Sequence, residues 1–348
     1  MSAPTTPQLA PPAPPRRRRP WVRLAVLGVI ALVLAAIGLR GRLPAPGDVL
    51  DALGGAKYTW IALAVVLQVA SIESFALQQR RLLNSLGARL TRGQVMAITL
   101  AGTALSISMP AGPAVSTAFT IREYQRGGAT REASAASAIV SGLASIGGLA
   151  LLYAGLALAV LARHPDGLLS WQPLLVVVAM AALTTALVVA GRRFARRPPP
   201  EPGLGPVAGN RVTRALQSLL RAAGDAWRAG AGLRAPDWVF ALVYATVKWL
   251  ADLFCLIAVA EALHLPVGVA TMATVYLTVQ IVRQVPLTPG GVGVVETALV
   301  AGLTTAGATA AGATAAVLVY RVLSCWALIP IGGIAAVILR RQREKAAG

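Results

Sequence analysis

Residues 286–296, with the sequence PLTPGGVGVVE, interrupt an apolar segment that would otherwise form a membrane helix. Two prolines and three glycines within the first eight of these residues prevent a continuous helix. Proline lacks the N–H group and clashes with the preceding turn, and glycine favours turns. In hydrocarbon, such a break is tolerated only where it is packed in protein or lines a polar cavity. Glu296 follows at the expected restart of the helix, and an ionisable residue at membrane depth points to a functional site. The alternative is a packing kink with a glutamate at the lipid interface.

The composition is that of a membrane protein. The 348 residues are 56% hydrophobic with a mean hydropathy of +0.67, which predicts an all-α polytopic fold. The net charge is +19, but the basic residues lie between the apolar runs, as the positive-inside rule expects. We therefore expect no nucleic-acid partner. The sequence has no nucleotide loop or nucleophile elbow, and Cys255 and Cys325 lack metal-ligand spacing. We expect no cofactor, no metal site and no catalytic residue.

Apolar runs and basic gaps divide the chain into regions. Residues 1–20 are rich in proline, end in four arginines and are predicted to be a disordered cytoplasmic tail. Residues 21–340 are the predicted membrane domain, and residues 341–348 are a basic cytoplasmic tail. Six full spans are expected, at residues 22–39, 59–77, 133–161, 171–191, 238–263 and 313–339.

Two further apolar segments are broken. The first, residues 94–119, is interrupted by Pro110, Gly112 and Pro113. The second, residues 269–303, is interrupted by residues of the opening stretch, namely Pro286, Pro289, Gly290, Gly291 and Gly293. The arginines fall on one side of the membrane only if each broken segment returns to the face from which it enters. This predicts two opposed re-entrant hairpins, with both termini in the cytoplasm and the protein in the plasma membrane.

The two halves of the chain resemble each other when shifted by 179 residues. Glu73 then falls on Asp252, Pro110 on Pro289 and Gly112 on Gly291. The shift defines repeat A at residues 59–161 and repeat B at residues 238–339. An inverted repeat with paired, interrupted segments marks the binding site of many transporters. Chance alignment of apolar sequence rich in alanine and glycine is the alternative.

The cytoplasmic linker at residues 192–236 contains a segment that is predicted to lie on the membrane surface. Residues 196–203 are rich in proline and are expected to be flexible. Residues 210–228 carry apolar residues at helical spacing with arginines between them, which predicts an amphipathic helix on the anionic inner leaflet. A helix packed on the cytoplasmic ends of the spans is the alternative.

Few ionisable residues lie at predicted membrane depth, where a charge costs at least about 3 kcal/mol unless it is paired. Glu261 is close enough to a span end to reach water. The candidate substrate-binding or translocation residues are Glu73, Lys248, Asp252, Arg283, Glu296 and Arg321.

The chemistry of these candidates suggests roles. Arg283 and Arg321 offer planar donor groups suited to phosphate, and a helix start after Gly293 adds a favourable dipole. Glu73 and Glu296 could bind a cationic headgroup, carry a proton or balance the arginines. Lys248 and Asp252 are four residues apart and could neutralise each other. An internal network that only fixes packing is the alternative.

Two motifs carry a family resemblance. Residues 289–296, PGGVGVVE, followed by residues 320–326, YRVLSCW, resemble a flippase-like membrane family that includes the transmembrane domain of lysylphosphatidylglycerol synthases. The resemblance covers about residues 20–340. It implies functional roles for Pro289, Gly290, Gly291, Gly293, Glu296 and Arg321. In the bifunctional synthases, this membrane part is understood to move the modified lipid between leaflets while a cytoplasmic domain transfers the amino acid. The sequence stops at Gly348 without that domain, so we do not expect an enzyme.

Three functions are compatible with these observations. The leading one is translocation of an anionic or aminoacylated phospholipid, or of a polyprenyl-phosphate-linked lipid. A membrane-embedded transferase or accessory subunit would need a base or nucleophile, for which Glu73, Asp252 and Glu296 are the candidates. The third is secondary transport of a small soluble anion. The expected partners are membrane lipids and either a second copy of the chain or a separately encoded enzyme.

Overall fold

The computed structural model describes residues 46–109, 111–163, 193, 224–225, 227–283 and 288–347. Several predicted features lie outside these residues. They are the tail at 1–20, the spans at 22–39 and 171–191, most of the linker with its helix at 210–228, and the prolines Pro110 and Pro286.

The described part of the chain is all-helical, as the sequence predicts. The helices are α1 (Pro46–Gly54), α2 (Tyr58–Ser85), α3 (Arg92–Ser108), α4 (Gly112–Arg126), α5 (Arg131–Arg163), α6 (Ala235–Ala262), α7 (Val269–Arg283), α8 (Val294–Thr305), α9 (Ala310–Arg321) and α10 (Leu328–Ala347). A short 3-10 turn, Pro289–Gly291, precedes α8, and a π-helical turn, Val322–Trp326, joins α9 to α10.

Four helical stretches are long and apolar enough to cross a membrane. They are Tyr58–Ser85, Arg131–Ala159, Ala235–Ala262 and Ala310–Glu344, the last formed by α9, the π turn and α10. These stretches coincide with the predicted spans at 59–77, 133–161, 238–263 and 313–339. Large apolar side chains such as Val66, Phe254 and Ile334 are exposed on them, as expected for lipid-facing surfaces. The all-α polytopic fold is thereby confirmed.

Helices α2 and α6 form a close antiparallel pair. The N–H of Lys57 donates to the carbonyl of Ala262, the Ser71 hydroxyl to the carbonyl of Lys248, and the Gln78 amide to the carbonyl of Ala241. The residue number of the bonding partner on α6 falls by one for each residue forward along α2, so the two helices run in opposite directions. Two of these bonds join a side chain on α2 to backbone on α6, which requires the helices to approach closely. Small residues at the interface, including Ala64 and Ala245, permit this approach.

Both broken segments form helical hairpins. Helix α3 packs on α4, and α7 packs on α8. Since α3 begins where α2 ends, and α7 begins where the antiparallel α6 ends, the hairpins start from opposite ends of the α2–α6 pair. The two breaks are therefore hairpin turns in the structure, and their re-entrant course in a bilayer stays a prediction.

The turn of the first hairpin depends on its special residues. Ala111 has a left-handed backbone, with φ of 55°. A Cβ atom on Gly112 would lie 2.0 Å from the carbonyl oxygen of Ser106, so only glycine fits there. Pro113 lies in the first turn of α4, where its missing N–H has no helical partner to lose.

The helices of the two halves correspond across the shift of 179 residues. Helix α5 starts at Arg131 and α9 at Ala310, each after a Gly-Ala-Thr sequence. The hydroxyl of Thr130 accepts from the N–H of Ala133, and that of Thr309 accepts from the N–H of Gly312, both at 3.1 Å. These matches and the antiparallel α2–α6 pair are features that an inverted repeat would have, and the repeat at residues 59–161 and 238–339 stays a prediction.

Candidate functional site

The turns of the two hairpins meet inside the molecule. Gly290, in the turn before α8, has a φ of +62°, and a Cβ atom there would lie 3.0 Å from the carbonyl oxygen of Ile107 at the end of α3. Glycine is required at this position both by the left-handed backbone and by the close approach. The opening stretch is therefore the place where the second hairpin contacts the first.

An ion pair fixes the second turn to the end of α9. Nε of Arg321 lies 2.6 Å from Oε1 of Glu296, and Nη2 of Arg321 donates to the carbonyl of Gly290 at 3.1 Å. The other carboxylate oxygen of Glu296 accepts from the N–H of Gly293 at 2.7 Å. The side chain of Arg321 is only 1% exposed and that of Glu296 18%. A π-helical turn follows Arg321 directly, and such turns are frequent at functional sites.

This network changes the roles expected for the residues of the two motifs. Nε and Nη2 of Arg321 donate to protein acceptors, and the N–H of Gly293, just before α8, donates to Glu296. Pro289, Gly290 and Gly291 form the 3-10 turn that this network holds. In this conformation, the described geometry thus matches the alternative of an internal Arg–Glu network that fixes the hairpin turn.

A cavity of about 360 Å³ lies beside the hairpin turns. It is in the size range of small-molecule sites, about 300–1,000 Å³. Helices α2, α3, α5, α6, α7 and α10 and the π turn contribute to its wall. Its charged lining residues are Lys248, Asp252 and Arg283. We call this space the central cavity.

The two cations of the central cavity form no direct ion pair in the described residues, and the nearby carboxylate is that of Asp252. Neither Lys248 nor Arg283 forms a salt bridge within the residues that the structure describes. The ammonium group of Lys248 lies over the rings of Trp249 and Phe75, at 4.3 and 4.9 Å from their centroids. A cation–π contact of this kind contributes about 0.5–2 kcal/mol and leaves the charge available to an anion.

The carboxylate of Asp252 is bound by two tyrosines. The hydroxyl groups of Tyr276 and Tyr320 donate to its Oδ2, at 2.7 and 3.0 Å. No salt bridge joins Asp252 to Lys248 in the described ranges, so the expected neutralisation between them is not seen. The hydrogen bonds stabilise the negative charge of Asp252 without placing a cation against it.

Glu73 lies away from the other candidates. Its Oε1 accepts from Nε of Arg92 at 2.7 Å, and Glu73 does not line the central cavity. Although Glu73 and Asp252 are equivalent under the shift of 179 residues, only Asp252 faces the cavity. The structure therefore brings together Lys248, Asp252 and Arg283, places the Arg321–Glu296 pair at the hairpin turn, and separates Glu73 from both.

Sequence reasoning missed the neutral polar residues of the cavity wall. Four lining residues have buried side-chain atoms with no hydrogen-bond partner in the described structure, namely Gln68, Thr99, Gln280 and Ser324. Buried polar groups are rarely left unpaired, so these atoms indicate positions for water or ligand. The binding residues predicted from the sequence are all ionisable. One signal was available in the repeat, since the cavity-lining Ser145 corresponds to Ser324 under the shift.

Comparison with known proteins agrees with the fold and the motifs. The family model described as the lysylphosphatidylglycerol synthase TM region matches residues 21–332 of the chain. None of the curated proteins matches the chain. The matched range includes both hairpins, the central cavity and the Arg321–Glu296 pair.

Proposed function

Because this chain belongs to the lysylphosphatidylglycerol synthase transmembrane-region family, we propose that it moves an anionic lipid between the leaflets of the plasma membrane. Membership in the family connects the protein with lipid metabolism or translocation. In this proposal, the lipid headgroup crosses through the central cavity while its acyl chains stay in the bilayer.

The observation that supports this function best is the excess of positive charge in the central cavity. Lys248 and Arg283 line it without carboxylate partners in the described residues, and Asp252 is bound by tyrosines. A phosphodiester would find a planar guanidinium and an ammonium lining the same cavity. The exposed apolar surface of the surrounding helices provides contact for the acyl chains.

The arrangement of the hairpins fits movement between leaflets. The two hairpins start from opposite ends of the α2–α6 pair and meet at Gly290 and Ile107. One hairpin therefore connects the region of the central cavity with each end of the α2–α6 pair. In transporters built from inverted repeats, rocking of one half against the other exposes such a site to each side in turn.

The test uses vesicles that contain the purified protein and phosphatidylglycerol with a fluorescent acyl chain. Dithionite bleaches the outer leaflet, and later loss of the protected signal measures exchange. Arg283→Gln should slow exchange at least about tenfold, because a charge-assisted hydrogen bond contributes about 1.5–3 kcal/mol. The matched control is Arg122→Gln, since Arg122 is an exposed arginine of α4 that does not line the cavity.

Three outcomes decide between functions. Slow exchange in Arg283→Gln together with normal exchange in Arg122→Gln supports the proposal. Equal exchange in all three proteins contradicts the role of the cavity. Uptake of a soluble anion without lipid exchange, or a change in headgroup mass on incubation, would instead favour a small-anion transporter or a transferase.

A further inference from the structure

A second chamber of about 260 Å³ adjoins the central cavity. The two share lining residues, including Phe75, Thr103, Ser145 and Lys248, so they lie side by side with a common wall. The second chamber lies among α3, α4 and α5 and is lined largely by hydroxyl groups and small residues. We call it the hydroxyl groove, and its lining includes Thr99, Ser116, Thr120, Ser141 and Gly142.

The hydroxyl groove reaches the molecular surface between α4 and α5. Thr117 on α4 and Gly142 on α5 both line it and are exposed. A Cβ atom on Gly142 would meet no atom within 4 Å. At one end, α4 and α5 are joined by a tight turn in which the N–H of Ala129 donates to the carbonyl of Tyr124. The turn closes that end, so the opening lies between the two helices.

Two buried hydroxyl groups in the groove are poorly satisfied. Thr99 is 5% exposed and Tyr124 1% exposed, and their hydroxyl groups lie near each other without a well-formed hydrogen bond to any group in the part of the chain that the structure describes. A polar group left unpaired in a protein interior costs about 1–3 kcal/mol unless water or a ligand binds it. Both residues line the groove, which indicates that polar molecules occupy it.

The equivalent space in the second half is closed by apolar side chains. Under the shift of 179 residues, Ser116 and Thr120 of α4 correspond to Val295 and Leu299 of α8. Val295 is 3% exposed and Leu299 1%, and both belong to the main apolar core. The open position Gly142 corresponds to the buried Arg321. Equivalent positions therefore line a polar groove in the first half and a packed core in the second.

We propose that the hydroxyl groove is the lateral entrance through which lipid headgroups reach the central cavity from the bilayer. This inference rests on the proposed function and adds the route of access. A headgroup slides between α4 and α5 while its acyl chains remain outside, and the core around Leu299 closes the corresponding route through the second half. In this conformation, lipid headgroups thus reach the central cavity through the first half of the protein and not through the second.

The lining of the groove specifies the class of ligand. Among the described residues, Lys248 is the one cation that lines it, on the wall shared with the central cavity, and no carboxylate of these residues does. Hydroxyl groups donate and accept hydrogen bonds, so they suit a phosphate ester bearing a neutral, hydroxyl-rich group. A net-cationic headgroup would meet Lys248 and then Arg283 without a free carboxylate. The entrance therefore favours anionic phospholipids over aminoacylated ones.

A matched pair of glycines on α5 tests the route. Gly142→Phe places a ring in the groove, whereas Gly155→Phe adds the same ring at an exposed position that lines neither chamber. Neither glycine has an atom within 4 Å of its Cβ position, so both variants should fold. Gly142→Phe should slow exchange of labelled phosphatidylglycerol at least about tenfold, and Gly155→Phe should match the unmodified protein.

The outcomes separate the entrance from the function itself. If the unmodified protein exchanges lipid and Gly142→Phe exchanges it at the same rate, the proposed entrance is wrong and the proposed function still stands. Absence of exchange in the unmodified protein overturns the function, and the entrance is then decided by access alone. Faster exchange of an aminoacylated lipid than of phosphatidylglycerol overturns the charge preference.

Cysteine labelling measures access without any transport. Ser145→Cys, at the junction of the two chambers, should react with a small water-soluble thiol reagent. The native Cys255 and Cys325 are fully buried and set a low background. Gly142→Phe should slow this reaction, and Gly155→Phe should not. Leu299→Cys should stay unreactive. Equal labelling of Ser145→Cys with and without Gly142→Phe overturns the route, and rapid labelling of Leu299→Cys overturns the closure of the second half.

Discussion

Arg321 and Glu296 lie 25 residues apart in the chain, and their side chains form a buried ion pair with Nε 2.6 Å from Oε1. Through this pair, the last membrane helix holds the turn of the second hairpin. The pair joins the two sequence motifs, since one residue ends PGGVGVVE and the other follows Tyr320. In the described structure the pair positions the turn, and the proposed substrate site is the central cavity beside it.

Removing one partner of this pair should destabilise the protein. Arg321→Met leaves Glu296 partly buried without its cation, which typically costs about 3–5 kcal/mol. Thermal unfolding in detergent should show a clear loss of stability. Arg81→Met is the control, because its pair with Asp237 is half exposed and such pairs contribute about 0–1 kcal/mol. Equal thermal stability of Arg321→Met and the unmodified protein would contradict the positioning role.

The two tyrosines should make Asp252 a structural acceptor. Tyr320→Phe removes a hydrogen bond to a carboxylate, and such bonds contribute about 1.5–3 kcal/mol. We expect lower thermal stability but continued exchange of anionic lipid. Asp252→Asn keeps an acceptor for the tyrosines and removes the negative charge, so exchange of phosphatidylglycerol should be retained or faster. Loss of exchange in Asp252→Asn with normal folding would assign the carboxylate a direct part in transport.

A second matched pair of glycines tests the packing of α10 on α3. A Cβ atom on Gly332 would lie 2.3 Å from the carbonyl oxygen of Leu100, whereas one on Gly333 would meet nothing within 4 Å. Gly332→Ala should cost about 1–3 kcal/mol by overpacking. Gly333→Ala should be neutral or slightly stabilising, because alanine favours helix. Thermal unfolding of both variants measures this, and the reverse order would contradict the close contact.

Much of the fold followed from the sequence because its signals are local. Long apolar runs gave the four described spans, and the Pro/Gly clusters located both hairpin turns. The repeat was visible in Pro110 and Pro289, and the structure adds the equivalent caps at Thr130 and Thr309. Helix periodicity and breaks depend on neighbouring residues, so they can be read along the chain.

The site was harder to predict because pairing of charges is a tertiary property. Lys248, Asp252 and Arg283 were predicted as site residues and do meet at one cavity. The sequence could not show that Asp252 is bound by tyrosines from α7 and α9, or that Glu73 is paired with Arg92. It also could not show which of two equivalent grooves is open, since this depends on packing in the three-dimensional structure.

The central claim is that positive charge in the cavity selects an anionic headgroup for movement between leaflets. The most direct test is the ratio of exchange rates for phosphatidylglycerol and phosphatidylcholine in vesicles with the unmodified protein, Lys248→Met or Lys57→Met. Lys57 is an exposed lysine whose contact with Ala262 uses only its backbone N–H, so it is the matched control. The account predicts faster exchange of phosphatidylglycerol in the unmodified protein and in Lys57→Met, and a ratio near one in Lys248→Met. Equal rates for the two lipids in the unmodified protein, or no exchange above that of protein-free vesicles, would contradict it.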